Sequence, residues 1–146
     1  CRERYLNQPQ KRYGLLASSR ARNLEAYGIP NGFRATSRLN AGAWYIDPSD
    51  SPQSCCALER CVTEFGCQGL ELDLPIVGWG DDLRWDGEWR SSVRQRQAKN
   101  PLRLRLNSYR VLLTRGRDGL IVFVPPEAKM DCTYKALQSA GLVELG

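Results

Sequence analysis

The sequence has no histidine, only one methionine, and no glycine-rich loop of the G-x-x-x-x-G-K-[ST] type. The absence of that loop excludes the usual cradle for nucleotide phosphates within these 146 residues. No apolar run approaches the roughly 18 residues of a membrane-spanning helix, so no span is predicted. The six cysteines contain no C-x-x-C pair, and their spacings fit none of the usual structural zinc patterns. We therefore predict no metal site.

No leader sequence is predicted, because no charged segment followed by an apolar one opens the given sequence. Without a secretory signal, the thiols are predicted to be reduced and some of them buried, since free cysteine behaves as a small hydrophobe. We expect a cytoplasmic protein. The chain starts at Cys1 with a polar, basic lead-in over residues 1–11, which is typical of the middle of a longer protein. We therefore expect a fragment.

The length and composition are those of one globular domain over residues 1–146. The net charge is +5, and positive residues cluster within twelve positions at Arg94, Arg96, Lys99, Arg103 and Arg105. Such a run can attract a phosphate backbone or simply solvate a loop. Both interpretations stay open on charge alone.

The first half of the chain alternates apolar runs with turn-rich segments. Residues 12–19, RYGLLASS, predict a strand and a serine cap, followed by a short helix that stops at Gly28. Residues 29–53 are mostly loop, with at most one strand at the aromatic segment WYID. RCVTEF and LPIVGW each suit a strand, and residues 80–100 are expected to form a surface insertion or hairpin.

The second half of the chain has clearer signals for where helices and strands begin and end. Asn100 suits an N-cap and Pro101 the first helical position, and the apolar spacing that follows predicts an amphipathic helix with a basic outer face. LIVFV, residues 120–124, is typical of a central parallel strand, and a last helix is expected between Asp131 and Gly141. This alternation predicts an α/β fold with a mostly parallel sheet flanked by helices. In such sheets, ligands gather at the carboxyl ends of the strands.

Two segments carry a family resemblance. TEFGCQGLELD, residues 63–73, resembles motif V of superfamily-one helicases, and YRVLLTRGRDGLIVFVP, residues 109–125, resembles the "TR-small-R" turn of motif VI. RYGLLASSRARNL, SCCALERCVTEFGCQGLELD and DCTYKALQSAGL sharpen the match. Together they resemble the helicase-like family with a Schlafen-group-three-type DNA/RNA helicase domain. The resemblance implies the second, C-terminal RecA-like domain of a helicase motor.

The resemblance also implies roles for individual residues. Arg115 matches the arginine finger that reaches the γ-phosphate of ATP, and arginine suits this task because its planar fork is permanently charged. Arg117 would support Arg115 or contact phosphate. Gly69, Glu71 and Gln68 would lie near the nucleotide. Thr63 would contact the nucleic-acid strand, and the basic helix face with Arg103 and Arg105 would follow it. Where many relatives have histidine, this chain has Phe65.

The phosphate loop and the acidic pair that holds Mg²⁺ in such motors are absent from these residues. The resemblance therefore implies that ATP with Mg²⁺ binds only together with an N-terminal RecA-like domain of the same protein, and that this chain alone is inactive. The alternative is a stand-alone, non-enzymatic RecA-like remnant that binds nucleic acid or a protein partner.

Structural roles remain open for several of these residues. Arg115 could cap helix carbonyls or pair with Asp118, and Glu71 could be a solvated charge on a turn. The tryptophans at 79, 85 and 89 could stack on bases or pack in the core.

Overall fold

The computed structural model describes residues 1–93 and 99–145. Arg94 and Arg96 of the predicted basic run lie outside these residues. The strands are β1 (Tyr13–Ala17), β2 (Cys61–Thr63), β3 (Leu74–Gly78), β4 (Leu83–Trp85), β5 (Trp89–Ser91) and β6 (Ile121–Phe123). The helices are α1 (Phe33–Thr36), α2 (Ala41–Ile46), α3 (Pro101–Leu113) and α4 (Asp131–Ser139), with 3-10 turns at Glu25–Tyr27, Cys55–Ala57 and Ala128–Met130. Among the described residues, no helix is long and apolar enough to cross a membrane.

The core of the fold is a four-stranded parallel sheet in the order β2-β1-β3-β6. All five residues of β1 are buried, because this strand has a partner on both edges and apolar side chains on both faces. The helices flank the sheet. This arrangement confirms the predicted α/β class and is consistent with a RecA-like fold.

Strand β6 forms where the LIVFV run predicted it, but it lies at the edge of the described sheet. Its three residues are only partly buried, whereas a central strand was expected. The apolar run is explained by contacts on its faces: Phe123 packs against the ring of Tyr27 at 5.7 Å between centroids. A continuous apolar run therefore did not require a partner strand on each side.

Two short helices, α1 and α2, form within residues 33–46, where a loop with at most one strand was expected. The side chain of Asn40 caps α2 by accepting hydrogen bonds from the backbone N–H groups of Gly42 and Ala43. Trp44 of this helix is 1% exposed, and Gly14 of β1 lets it approach, because a Cβ at Gly14 would lie 2.7 Å from the indole ring. The aromatic segment therefore belongs to a short helix, whose buried residue is Trp44.

The segment after β1 is less helical than predicted. Only a 3-10 turn forms at Glu25–Tyr27, although it stops at Gly28 as expected, with that glycine at a φ of 79°. Ser18 does not cap a helix. Its hydroxyl is buried and donates to the carboxylate of Asp82 at 2.5 Å.

Within residues 80–100, β4 and β5 form an antiparallel hairpin that turns at Gly87. The hairpin is anchored rather than free on the surface. Leu83 is 1% exposed, Trp89 packs on Trp79 at 5.4 Å between ring centroids, and the backbone N–H of Trp85 donates to the hydroxyl of Thr133 in α4. These tryptophans therefore serve packing within this domain.

Helix α3 begins as predicted. Pro101 occupies the first turn, and the side chain of Asn100 accepts a hydrogen bond from the backbone N–H of Arg103 at 2.9 Å. The apolar face predicted from the spacing of Leu102, Leu106, Tyr109 and Leu113 packs on the core, with Tyr109 buried and the three leucines partly buried. The fully buried residues of the helix also include Arg105, Ser108 and Leu112. The helix continues into the turn that carries Arg115.

Candidate nucleotide and nucleic-acid sites

The two segments that resemble helicase motifs lie side by side. Leu72 and Gly116 form a parallel bridge just before β3 and β6. The N–H of Leu72 donates to the carbonyl of Arg115, and the N–H of Arg117 donates to the carbonyl of Leu72, both at 2.9 Å. Backbone pairing therefore continues on the N-terminal side of β3 and β6. It places both segments at the amino ends of these two strands. The sequence argument had expected ligands at the carboxyl ends.

A polar cavity of about 240 Å³ opens at this junction. Four of the predicted nucleotide residues line it, together with two others; the lining residues are Tyr45, Gly69, Leu70, Glu71, Arg115 and Arg117. Residues 45 positions apart in the sequence thus surround one pocket, and two of its side chains are guanidinium groups. Because guanidinium recognises oxyanions through paired N–H donors, the cavity suits a phosphate.

Three hydrogen bonds to neighbouring residues hold the guanidinium of Arg115 at this cavity. Its Nε donates to the carbonyl of Val111 at 2.9 Å, one Nη to the carbonyl of Leu70 at 3.4 Å and the other to the hydroxyl of Thr114 at 3.2 Å. Arginine has five N–H donors. These three bonds fix the plane of the guanidinium and leave two donors without a partner among the described residues.

Arg117 has a different environment. Its Nε donates to the carboxylate of Glu71 at 2.9 Å, and both side chains are more than half exposed. The hydrogen bond to Glu71 and its charge raise the pKa of Arg117 above the ordinary value. An exposed pair of this kind contributes little to stability, so Glu71 is available to another partner.

The turn before Glu71 depends on a glycine. Gly69 has a φ of 80°, in the left-handed region, and no atom lies within 4 Å of the position of an added Cβ. Glycine is therefore required here for its backbone conformation rather than for close packing. Gln68 is exposed on the same turn and does not line the cavity.

Tyr45 was missed by the sequence reasoning. The sequence predicts at most a strand for the aromatic segment that contains Tyr45, whereas helix α2 brings this side chain to the cavity. The sequence signal that indicates a helix here is Asn40, whose side chain caps α2. The guanidinium of Arg12 donates to the carbonyls of Ile46 and Asp47 and holds the end of this helix.

The lead-in at residues 1–11 packs beneath the same turn. The hydroxyl of Tyr5 donates to Asp118 at 2.8 Å, and the ammonium of Lys11 reaches Asp118 at 2.8 Å and Asp73 at 3.0 Å. These bonds, first the one to Asp118, raise the pKa of Lys11. Asp118 is thus paired with the lead-in and not with Arg115, which was the alternative considered for that arginine.

We expect Gly116→Ala to lower the free energy of unfolding by about 1–3 kcal/mol. A Cβ at this position would lie 2.0 Å from the backbone carbonyl oxygen of Gly119, so the turn itself would have to move. Gly42→Ala in α2 is the control, because its nearest contact, a side-chain atom of Asn40, would be 3.3 Å away. Chemical denaturation of both variants tests this. Equal midpoints would contradict the role of Gly116.

Thr63 lies at the opposite end of the sheet, at the carboxyl end of β2. It is 7% exposed and lines a second cavity of about 420 Å³ together with Phe65, Ser19 and Arg20. The predicted nucleotide residues and the predicted strand-binding threonine therefore occupy two separate sites. The β2–β3 connection, residues 64–73, runs from one to the other.

The prediction that Arg105 lies on an exposed basic face is wrong. Arg105 is 4% exposed, and its Nη1 donates to Ser18 at 2.9 Å and lies 3.4 Å from the carboxylates of Glu64 and Asp82. The physical reason is that these two buried carboxylates need a cation. Arg103, two positions earlier on α3, is exposed as predicted.

This buried ionic cluster joins α3 to the carboxyl ends of three strands. Glu64 also accepts from the N–H and hydroxyl of Ser19, at 2.8 and 2.9 Å. The phenol of Tyr109 donates to Asp82 at 2.7 Å. Burial, followed by the charge and hydrogen bond of Asp82, raises the pKa of Tyr109 well above its ordinary value, so that the phenol stays protonated.

The cysteines agree with the prediction that some are buried: Cys55, Cys56, Cys61 and Cys67. The sulfurs of Cys55 and Cys56 are 3.9 Å apart, and their shared hydrogen bond lowers the pKa of Cys56 to about 5 while raising that of Cys55. In the described part of the chain, no three histidine, cysteine, aspartate or glutamate side chains are grouped to hold a metal ion.

The parallel sheet and the two paired segments define an α/β domain consistent with a RecA-like fold. The family model of the Schlafen group 3 DNA/RNA helicase domain matches residues 2–126, and the chain belongs to that family. No curated protein and no solved structure matches the chain significantly.

Proposed function

We propose that this chain is the C-terminal motor domain of an ATP-dependent DNA/RNA helicase or translocase. One observation carries the proposal: the sequence-distant residues Gly69, Glu71, Arg115 and Arg117 line a single polar cavity. Its side chains provide two cations for phosphate oxygens and one carboxylate for a hydroxyl donor such as a ribose. The family to which the chain belongs supports the same assignment.

In this proposal ATP binds between the cavity and an N-terminal RecA-like domain of the same protein. ATP supplies a γ-phosphoryl group whose transfer to water releases the free energy for movement. Arg115 offers its two remaining N–H donors to the phosphate oxygens, and its bonds to Val111 and Leu70 hold it in place before the nucleotide arrives. Preorganised donors of this kind stabilise developing negative charge.

The other domain would contribute the phosphate loop and the ligands of Mg²⁺. The role left to Arg117 and Glu71 is to sense the nucleotide, since their exposed ion pair can open when a phosphate competes for the guanidinium. Thr63 and Arg103 would contact the nucleic acid, through a hydroxyl and a phosphate-binding cation respectively.

The test begins with protein from the source cells. An antibody against this chain is expected to detect a species well above 16.5 kDa, and that species, once purified, is expected to hydrolyse ATP faster when single-stranded nucleic acid is added. A large species without any such turnover would contradict the proposal.

A second candidate is a stand-alone module that binds nucleic acid or a protein without hydrolysing ATP. The hydrogen bonds of Arg115 within the chain favour this candidate. They also explain Arg115 as a cap on the C-terminal end of α3, which requires no nucleotide. This candidate predicts a species near 16.5 kDa in the same blot. Its nucleic-acid binding would weaken steeply with salt, because arginines displace condensed counterions.

A further inference from the structure

The polar cavity at the amino ends of β3 and β6 is built from segments that are distant in the sequence. One wall comes from residues 69–71, before β3, and another from the turn before β6. Lys11, in the lead-in, belongs to neither segment but contacts both. Its ammonium lies 3.0 Å from Oδ1 of Asp73 and 2.8 Å from Oδ2 of Asp118, one carboxylate from each segment. Lys11 therefore forms an ionic bridge between two walls of the cavity.

The bridge lies close to the cavity along both segments. Asp73 follows Glu71 by two residues, and Asp118 directly follows Arg117. The backbone N–H of Asp118 also donates to the carbonyl of Asp73 at 2.8 Å, so the two aspartates are joined through their backbones as well as through Lys11. A shift of either carboxylate would therefore move a backbone that carries a cavity side chain.

The two aspartates need the cation of Lys11. Each has an oxygen within 3.0 Å of the same ammonium, so the carboxylates are close neighbours, and like charges at such a range repel each other. Their side chains are only 11% and 30% exposed, which limits screening by water. The hydrogen bond from Lys11, and then that from Tyr5, lowers the pKa of Asp118 and keeps its carboxylate charged at neutral pH. Without Lys11, uncompensated negative charge would lie beside a site that has to attract phosphate.

We propose that Lys11 is a positioning residue for the nucleotide pocket. It holds the two segments in register and compensates both carboxylates, so that Arg115 and Arg117 present their guanidinium groups to the phosphate oxygens. Among the described residues, those that line the cavity do not include Lys11, so it acts through the turn rather than on the nucleotide. This inference rests on the proposed function and extends it to the lead-in, which lies outside the two helicase-like segments.

The first test compares Lys11→Met with Lys135→Met in the full-length protein. Lys11→Met is expected to lower the kcat of nucleic-acid-stimulated ATP hydrolysis by about ten- to hundred-fold, because a displacement of about 1 Å in a catalytic group can have an effect of that size. Lys135 is exposed on α4 and provides the matched control, since the same chemical change there should leave turnover within about twofold of wild type. Lys11→Arg should recover most of the turnover, because a guanidinium can also bind two carboxylates.

A second readout separates positioning from a loss of folded protein. It is the ratio of the affinities for ADP with aluminium fluoride, a mimic of the transferred phosphoryl group, and for ADP. This ratio depends on how Arg115 meets that group and not on the amount of folded protein. Lys11→Met is expected to reduce the ratio by about tenfold or more. If Lys11→Met does not fold, Lys11→Met/Asp118→Asn takes its place, because it removes the repulsion together with the bridge, and the same losses are expected.

The outcomes separate this inference from the proposed function. A lower kcat and a lower affinity ratio, both of which Lys11→Arg restores, support the inference. Wild-type turnover or an unchanged affinity ratio in the folded variant would overturn the role of Lys11 and leave the helicase assignment standing. Equal losses in Lys11→Met and Lys11→Arg would also overturn it, because the charge of the bridge would then have no effect. A full-length protein without ATP turnover overturns the proposed function, and this inference with it.

Discussion

Replacing Arg115 with alanine in the full-length protein is expected to reduce nucleic-acid-stimulated ATP turnover by about three to five orders of magnitude. The effect is large because the guanidinium would act on charge that develops in the transition state, where a preformed donor has its greatest influence. In this chain the guanidinium of Arg115 is anchored by hydrogen bonds to Val111, Leu70 and Thr114.

Two controls separate chemistry from folding in this experiment. Arg110→Ala removes an exposed arginine from the last turn of the same helix and should leave turnover unchanged. Thermal unfolding of Arg115→Ala measures the lost cap on α3, which is expected to cost about 1 kcal/mol, the usual net contribution of a hydrogen bond. Wild-type ATP turnover in a folded Arg115→Ala variant would rule out Arg115 as the arginine finger.

Arg105→Met is expected to lower the free energy of unfolding by about 3–5 kcal/mol. The substitution keeps an unbranched side chain of similar length, but it leaves Glu64 and Asp82 buried without their cation. Those carboxylates are 3% and 0% exposed, so water cannot replace the guanidinium without opening the structure. Because Glu64 also holds Ser19, the cavity that Ser19 lines should lose order as well.

Arg103→Met is the matched control for that measurement. It makes the same chemical change two residues away on the same helix, but Arg103 is exposed, and a surface substitution usually stays within about 0.5 kcal/mol. Denaturant titrations of the two variants should therefore diverge strongly. Similar losses in both, or a loss below about 1 kcal/mol for Arg105→Met, would show that the buried cluster contributes little net stability.

The parts of the fold that could be predicted are those where local chemistry determines structure. Asn100 and Pro101 begin α3 because their side chains satisfy or remove free N–H groups at a helix start, and this depends on few distant contacts. The family resemblance placed the segments around Glu71 and Arg115 near one nucleotide, but the sequence did not predict that they pair at the amino ends of β3 and β6.

The predictions fail where contacts between residues distant in the sequence determine the structure. The burial of Arg105 depends on Glu64 and Asp82, which are 41 and 23 residues away in the sequence, and helical spacing contains no information about them. Tyr45 reaches the polar cavity that Arg115 lines because its helix docks on the core through Trp44.

The most direct test of the central claim compares the affinities of the full-length protein for ADP and for ADP with aluminium fluoride, which mimics the transferred phosphoryl group. If Arg115 contacts that group, the wild-type protein should bind the mimic at least about 100-fold more tightly than ADP, as is usual for transition-state analogues. The Arg115→Ala variant should bind ADP normally and lose most of this preference. An undiminished preference in the variant would contradict the assignment of Arg115 to the γ-phosphate.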